Sequence, residues 1–250
     1  MTDTAARTRE RELTEALTAV RARLAAAAEA AGRDVNEIEL LPITKFFPAT
    51  DVTILAQLGC TEFGESREQE ATNKAAEVSK ILGPEAVRWH MVGRIQRNKA
   101  RSIAEWAYAA HSVDSARVID ALDRAASRAL AEGQRTGPLR VYLQISLDGD
   151  DKRGGIDIAR TDVIDELSSA VQSADGLAFV GLMAIPPLGA DPDAAFARLR
   201  SEFARVQRLY DQRLELSAGM SSDLEVAVKH GSTCVRVGTA LMGQRPLTSP

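Results

Sequence analysis

From residue 38 to residue 242 the chain alternates short apolar runs with stretches of helical spacing, and the alternation repeats eight times. Runs 38–44, 61–64, 88–93, 107–113, 139–146, 177–185, 215–220 and 233–242 read as strands, mostly apolar and bounded by polar residues. Between them, 51–58, 68–82, 98–106, 115–131, 161–173, 193–213 and 223–230 carry the spacing of helices. Strands apolar on both faces need cover on both, which parallel strands joined by crossover helices provide. Eight such units close into a single (β/α)8 TIM-type barrel, and 250 residues is a usual length for one. An open doubly wound sheet is the alternative, but no GxGxxG follows the first strand.

Residues 1–32 precede the first strand and are expected to form an extra N-terminal helix packed on the barrel. Leu13, Leu17, Val20 and Leu24 make its apolar stripe, and Gly32 ends it. No linker or low-complexity tract interrupts the chain, so 1–250 is expected as one domain. No run approaches the roughly 18 apolar residues of a membrane span, and the N-terminus lacks the apolar core of a secretory signal. We therefore expect a cytoplasmic protein with no membrane partner. Lys and Arg number 31 against 35 Asp and Glu, a formal net charge of -4, which argues against nucleic acid as a partner. Cys60 and Cys234 are too few for a disulfide framework and read as reduced, buried thiols. His111 and His230 lack cysteine or carboxylate neighbours at ligand spacing, so no metal is expected.

The reactive groups of such a barrel lie at the carboxyl ends of its strands. Lys45 closes the first apolar run. A partly desolvated lysine there can act as a nucleophile toward an aldehyde, and the alternative is a side chain that merely reaches for water. After the seventh strand come Gly219, Met220, Ser221, Ser222 and Asp223, and after the eighth Gly238 and Thr239. Backbone N–H groups and hydroxyls at two such turns can cradle a phosphate; a helix cap would account for one serine but not for both loops. Arg236 lies inside the last strand, where a buried cation needs an acceptor: a ligand, or the carboxylate of a neighbouring strand. An amine, a phosphate cup and an inward arginine together suit a phosphorylated aldehyde, of which pyridoxal 5′-phosphate (PLP) is the outstanding cofactor.

These residues fall in ordered motifs: Thr44-Lys45, Phe63-Gly64-Glu65, Trp89-His90-Met91-Val92-Gly93 with Gln96, Asn98 and Lys99, Gly181-Leu182-Met183, and the long segment 217–243. Through them, from about Ile38 to Arg245, the chain resembles the pyridoxal phosphate homeostasis protein family, single-barrel relatives of the alanine racemase N-terminal domain. The resemblance implies that Lys45 holds PLP as an internal aldimine, that Ser221, Gly238 and Thr239 hold the phosphate, and that Arg236 faces the pyridine nitrogen. It also implies a carrier or buffer of PLP without strong turnover, which could serve apo PLP-dependent enzymes or meet amino acids as partners. Ser66 stands where the family usually has asparagine and could still donate a hydrogen bond. Phe46, Phe47 and Ala218 are further departures.

An arginine beside the pyridine nitrogen keeps that nitrogen unprotonated and the ring a poor electron sink. Weak amino-acid racemisation is the enzymatic alternative, and it needs a second acid or base opposite the lysine. Tyr108, Tyr142 and Tyr210 are poorly placed for that role, on strands or a helix. The chain ends soon after the eighth strand, without the second domain of the racemases, and is expected to be a monomer. A lysine-dependent aldolase on sugar phosphates would share the barrel and cup but leave Arg236 unexplained.

Overall fold

Leu13, Leu17, Val20 and Leu24 are all nearly fully buried on one side of α1 (Thr2–Ala30) in the computed structural model, which describes residues 2–150 and 153–244. Arg245, where the family resemblance ends, lies outside the described residues. Helix α1 lies across the outside of α2 (Ala49–Gln57), α8 (Leu224–Lys229) and α9 (Thr239–Met242). Its stripe meets Val52, Leu55, Val228 and Leu241 in one apolar cluster. Basic residues at its edge reach carbonyls where these short helices end or begin: Arg9 donates to Met242 O at 3.0 Å, and Arg23 to Ser221 O at 3.2 Å. A cation placed at a helix carboxyl terminus satisfies carbonyls that have no partner within the helix.

The strands are β1 (Glu39–Pro42), β2 (Glu62–Glu65), β3 (Arg88–Met91), β4 (Ala107–Val113), β5 (Leu139–Ser146), β6 (Ile156–Asp157), β7 (Leu177–Ala184), β8 (Glu215–Ser217) and β9 (Cys234–Val237). All pairs are parallel, in the order β1-β9-β8-β7-β5-β4-β3-β2, with β6 appended to β5. A bridge between Ile43 and Gly64, in which Thr44 N–H donates to Gly64 O at 3.0 Å, brings β2 back to β1. The expected eight-stranded barrel is therefore the observed one. The remaining helices α3 (Glu68–Leu82), α4 (Ala100–Trp106), α5 (Ala116–Ala131), α6 (Thr161–Gln172) and α7 (Pro192–Gln207) cover its outside.

The differences from the sequence reading are local and have local causes. The two-residue β6 was not expected; it pairs with the end of β5 after Gly154 and Gly155 turn the chain back. The last run divides, because Gly238 accepts from Leu241 and Met242 N–H and so starts the helical turn α9. Helix α7 stops at Gln207, whose side chain bonds Tyr210 O, Gln212 O and Leu214 N and thereby fixes the turn that follows. Strand β8 ends at Ser217, because Gly219 takes a φ of 91° and Asp223 Oδ1 accepts from Met220 N–H.

Side-chain alternation sorts the strands into an outer and an inner face. On β9, Val235 and Val237 pack outward with α1, while Cys234 joins Leu41, Ile43 and Val92 in a small interior cluster. Residues 39, 41 and 43 thus share the inner face, and Lys45 is next in that row. The interior is unusually polar for a barrel, with His90, His111, Ser217 and Arg236 all buried. Gly181 permits part of this packing, since a Cβ there would lie 1.8 Å from Glu215 O.

Candidate functional site

Four neighbouring strands carry the six expected site residues at their carboxyl ends: Ser221 beyond β8, Arg236 in β9 with Gly238 and Thr239 just past it, Lys45 beyond β1, and Ser66 beyond β2. The register holds them side by side. Leu41 pairs with Arg236 and Pro42 with Val237, and Ile43 N–H donates to Val237 O at 2.9 Å. Lys45 therefore emerges beside the Gly238-Thr239 turn. Ser221 Oγ accepts from Ala240 N–H at 3.2 Å, so the loop after β8 is tied to the turn after β9. It does not cap α8, because Asp223 occupies that N-cap position. The two loops are thus tied to each other by this hydrogen bond, and Arg23 holds the first of them through Ser221 O.

Arg236 is 5% exposed, and among the described residues it meets no carboxylate at ion-pair distance. Its guanidinium donates to Ser217 Oγ at 2.6 Å and to Ala184 O at 2.9 Å. The carboxylate partner that a purely structural arginine would need is absent from these contacts. Burial pushes its pKa down, yet an arginine remains charged, so the cation must be balanced less directly.

Lys45 itself is half-buried, with Nζ 5.8 Å from the centroid of the Phe46 ring. Both backbone neighbours of Lys45 are pinned. Phe46 has a φ of 70°, a costly value for a side chain of this size, and its N–H donates to Glu70 Oε1 at 2.6 Å. Arg67 stacks over the same ring at 4.8 Å. On the other side Lys74 Nζ donates to Thr44 O at 2.8 Å, and Thr44 Oγ1 donates to Glu65 Oε1 at 2.7 Å. Lys74 also pairs with Glu65 at 2.6 Å and Glu70 at 3.2 Å. Burial raises the Glu65 pKa against the opposing pull of Lys74.

Ser66 is the least connected to the rest. It opens on a cleft of about 330 Å³ with Arg67, Arg94, Gln96 and Lys99. Its carbonyl sits where a Cβ on Gly93 would lie 2.0 Å away, so the Phe63-Gly64-Glu65 and Trp89-to-Gly93 motifs meet through a glycine-only contact. Lys99 pairs with Glu68 at 3.0 Å and Arg101 with Glu105 at 3.5 Å.

Sequence reasoning missed Ser217, the acceptor of Arg236, and the Lys74–Glu65–Glu70 cluster. The cluster had a visible signal: Ala71, Lys74 and Val78 share the buried face of α3, which places a lysine inside an apolar stripe. Among the described residues no group of three or more His, Cys, Asp or Glu is arranged for a metal ion, and His230 is bonded to Asp193 at 2.9 Å. No helix among them is long and apolar enough to cross a membrane.

These features define a parallel (β/α)8 barrel with a lysine, an arginine and two linked glycine- and hydroxyl-bearing loops on neighbouring strand ends. Residues 16–246 match the family described as alanine racemase, N-terminal domain. Over 248 residues the chain is 63% identical to the pyridoxal phosphate homeostasis protein of Mycobacterium tuberculosis, covering 97% of this chain and 96% of that one. PipY of Synechococcus elongatus, solved with PLP bound, is 34% identical with a TM-score of 0.76 over 92% of this chain and 100% of its own. Alanine racemase from Streptomyces coelicolor, at 20% identity and a TM-score of 0.69, covers 90% of this chain and 58% of its own, and shares the fold. The chain belongs to the alanine racemase N-terminal domain family, in its pyridoxal phosphate homeostasis branch.

Proposed function

We propose that this protein binds PLP reversibly at the carboxyl mouth of its barrel and serves intracellular PLP homeostasis as a carrier or buffer, without strong turnover. One observation supports the reading: Lys45, the Ser221 and Gly238-Thr239 loops and an Arg236 without an ion-paired carboxylate lie on the neighbouring strands β1, β9 and β8 or just beyond their carboxyl ends. The relative at 63% identity bears that functional name, and PipY was solved with PLP.

Bound there, PLP would supply an electrophilic aldehyde. The chain supplies the rest. Lys45 would offer its amine to that aldehyde for reversible capture. Ser221 and the N–H groups of Gly238 and Thr239 donate to the phosphate; Arg236 donates toward the ring nitrogen and, as a cation, keeps it unprotonated. Tyr108 and Tyr142 start or line strands at the opposite end of the barrel, and Tyr210 bonds Ser168 outside it at 2.9 Å. This placement supports weak proton transfer at a substrate Cα, and hence a carrier over a racemase.

The test is intact-mass measurement after borohydride reduction with added PLP. The wild-type chain should gain one pyridoxyl-phosphate mass and Lys45→Ala none; an adduct of equal yield on another lysine of the variant would overturn the assignment. D-alanine formation from L-alanine at ordinary enzymatic rates, on the order of 1 to 10³ per second, would promote the racemase instead.

A further inference from the structure

Ser217 accepts from Arg236, and from Ser217 a line of buried contacts crosses the barrel interior to its amino end. His111 Nδ1 lies 2.9 Å from Ser217 Oγ, and His111 Nε2 lies 2.8 Å from His90 Nδ1. His90 Nε2 lies 2.8 Å from Glu62 Oε2, though its N–H is not aligned well enough for a full hydrogen bond. Tyr142 stacks on His111 at 4.2 Å between ring centroids and fixes its plane. Arg88 holds Glu62 from the other side at 3.0 Å.

The two ends constrain the protons between them. A guanidinium has no acceptor, so Arg236 must donate to Ser217 Oγ. Glu62 is held ionised: contacts with His90 and Arg88 keep its pKa low against the effect of burial. In a neutral His90 ring an ionised carboxylate selects the tautomer with its proton on Nε2, which leaves Nδ1 as an acceptor. His111 then donates from Nε2 to His90 and accepts on Nδ1 from the Ser217 hydroxyl. Burial first, and then nearby positive charge, pushes the His111 pKa well down and keeps that ring neutral. Every bond runs from Arg236 toward Glu62. Since the arginine does not give up its proton, the line cannot conduct protons between its ends; it can only orient and polarise.

We propose that Ser217, His111, His90 and Glu62 form a positioning relay that aims the Arg236 guanidinium at the bound cofactor ring. The ring-facing role rests on the functional reading above, whereas the relay itself is a property of the free protein. It makes Ser217 and His111 positioning residues.

Two measurements test it. In the ligand-free protein, side-chain ¹⁵N NMR of His90 and His111 at neutral pH should show both rings neutral and protonated on Nε2. A proton on Nδ1 of either ring, or an imidazolium, would break the direction of the relay and overturn it. With ring-¹⁵N PLP added, Ser217→Ala, His111→Phe and Glu62→Gln should each move the ring-nitrogen resonance the same way as Arg236→Met. Each should weaken PLP binding about two- to tenfold, the weight of one hydrogen bond. Ser217→Thr, which keeps the hydroxyl, should restore both readouts. In an Arg236→Met background Ser217→Ala should add nothing, whereas a loss as large as in the wild type would show that Ser217 acts by a separate, structural route. A wild-type chain that takes up no PLP would sink the functional reading and the ring-facing role, while the tautomers would still judge the relay.

Discussion

The two mouths of this barrel are built from the same strands and hold opposite kinds of chemistry. At the carboxyl end, among the described residues, neither Lys45 nor Arg236 meets a carboxylate at ion-pair distance, and the loops around Ser221 and Gly238 present donors. At the amino end a cavity of about 480 Å³ is lined by Glu39, Glu62, Arg140, Tyr142 and Glu215, and its charges are mostly matched. Arg140 and Tyr142 both bond Glu215, and Arg88 bonds Glu62. A mouth that takes up an anion leaves donors of one sign uncommitted, whereas a mouth that closes the fold pairs what it exposes. Under the proposed function, the sign of the uncommitted groups therefore separates the binding end from the structural one, although both are polar.

The largest effect expected comes from the pair that supports the carboxyl end. Lys74→Met removes the partner of a fully buried Glu65 and should cost about 3 to 5 kcal/mol of unfolding free energy in urea titration. Adding Glu65→Leu should recover most of it, because a matched apolar pair avoids the desolvation of both charges. It should also loosen Thr44, so the double variant is expected to be stable yet slower to capture PLP. A loss below about 1 kcal/mol for Lys74→Met would mean that water reaches the pair, as it does surface pairs.

A smaller effect should separate the mouths directly. Ser221→Ala should weaken PLP binding by about one to two decades, the weight of a charge-assisted hydrogen bond. Pyridoxal, which lacks the phosphate, should bind poorly to the wild type and be indifferent to the change. Arg140→Gln, at the amino end, should leave PLP affinity unchanged. Equal losses for PLP and pyridoxal would make Ser221 a fold residue; a loss with Arg140→Gln would make the amino end part of the binding site.

The carboxyl mouth was legible in the sequence because its residues sit in contiguous motifs at the ends of strands, where position alone suggests chemistry. Lys45, Ser221, Arg236, Gly238 and Thr239 all fall on adjoining strand ends for that reason. The amino mouth was not legible. Glu39, Glu62, Arg140 and Glu215 each sit at or near the start of a strand, and only closure of the barrel brings four distant segments together. His90 and His111 alternated with apolar neighbours as core residues do, and nothing in their spacing showed that one would face the other. Lys74 was hidden differently, since a single lysine in a long amphipathic helix reads as solvated until its face is known.

The smallest effect concerns Glu39, whose titration reports how dry the amino mouth is. Its pKa is raised to about 7, first by desolvation in the cavity wall and then by the charges of Glu62 and Glu215, against the opposing pull of Arg88. A carboxyl group with a folded pKa above its unfolded value of 4.5 binds its proton more tightly in the folded state. Its stabilising contribution is therefore complete below pH 4.5 and is lost as the pH rises through about 7. Glu39 is also exposed at the cavity opening, so solvent screening should hold the loss between pH 5 and 8 to on the order of 0.5 kcal/mol. Glu39→Gln should abolish that slope while leaving PLP binding as it was, and carboxyl ¹³C NMR should find one glutamate titrating near neutrality. A Glu39 midpoint near 4.5 would show that the amino mouth is as wet as the surface, and the contrast with the carboxyl mouth would then rest on pairing of charges alone.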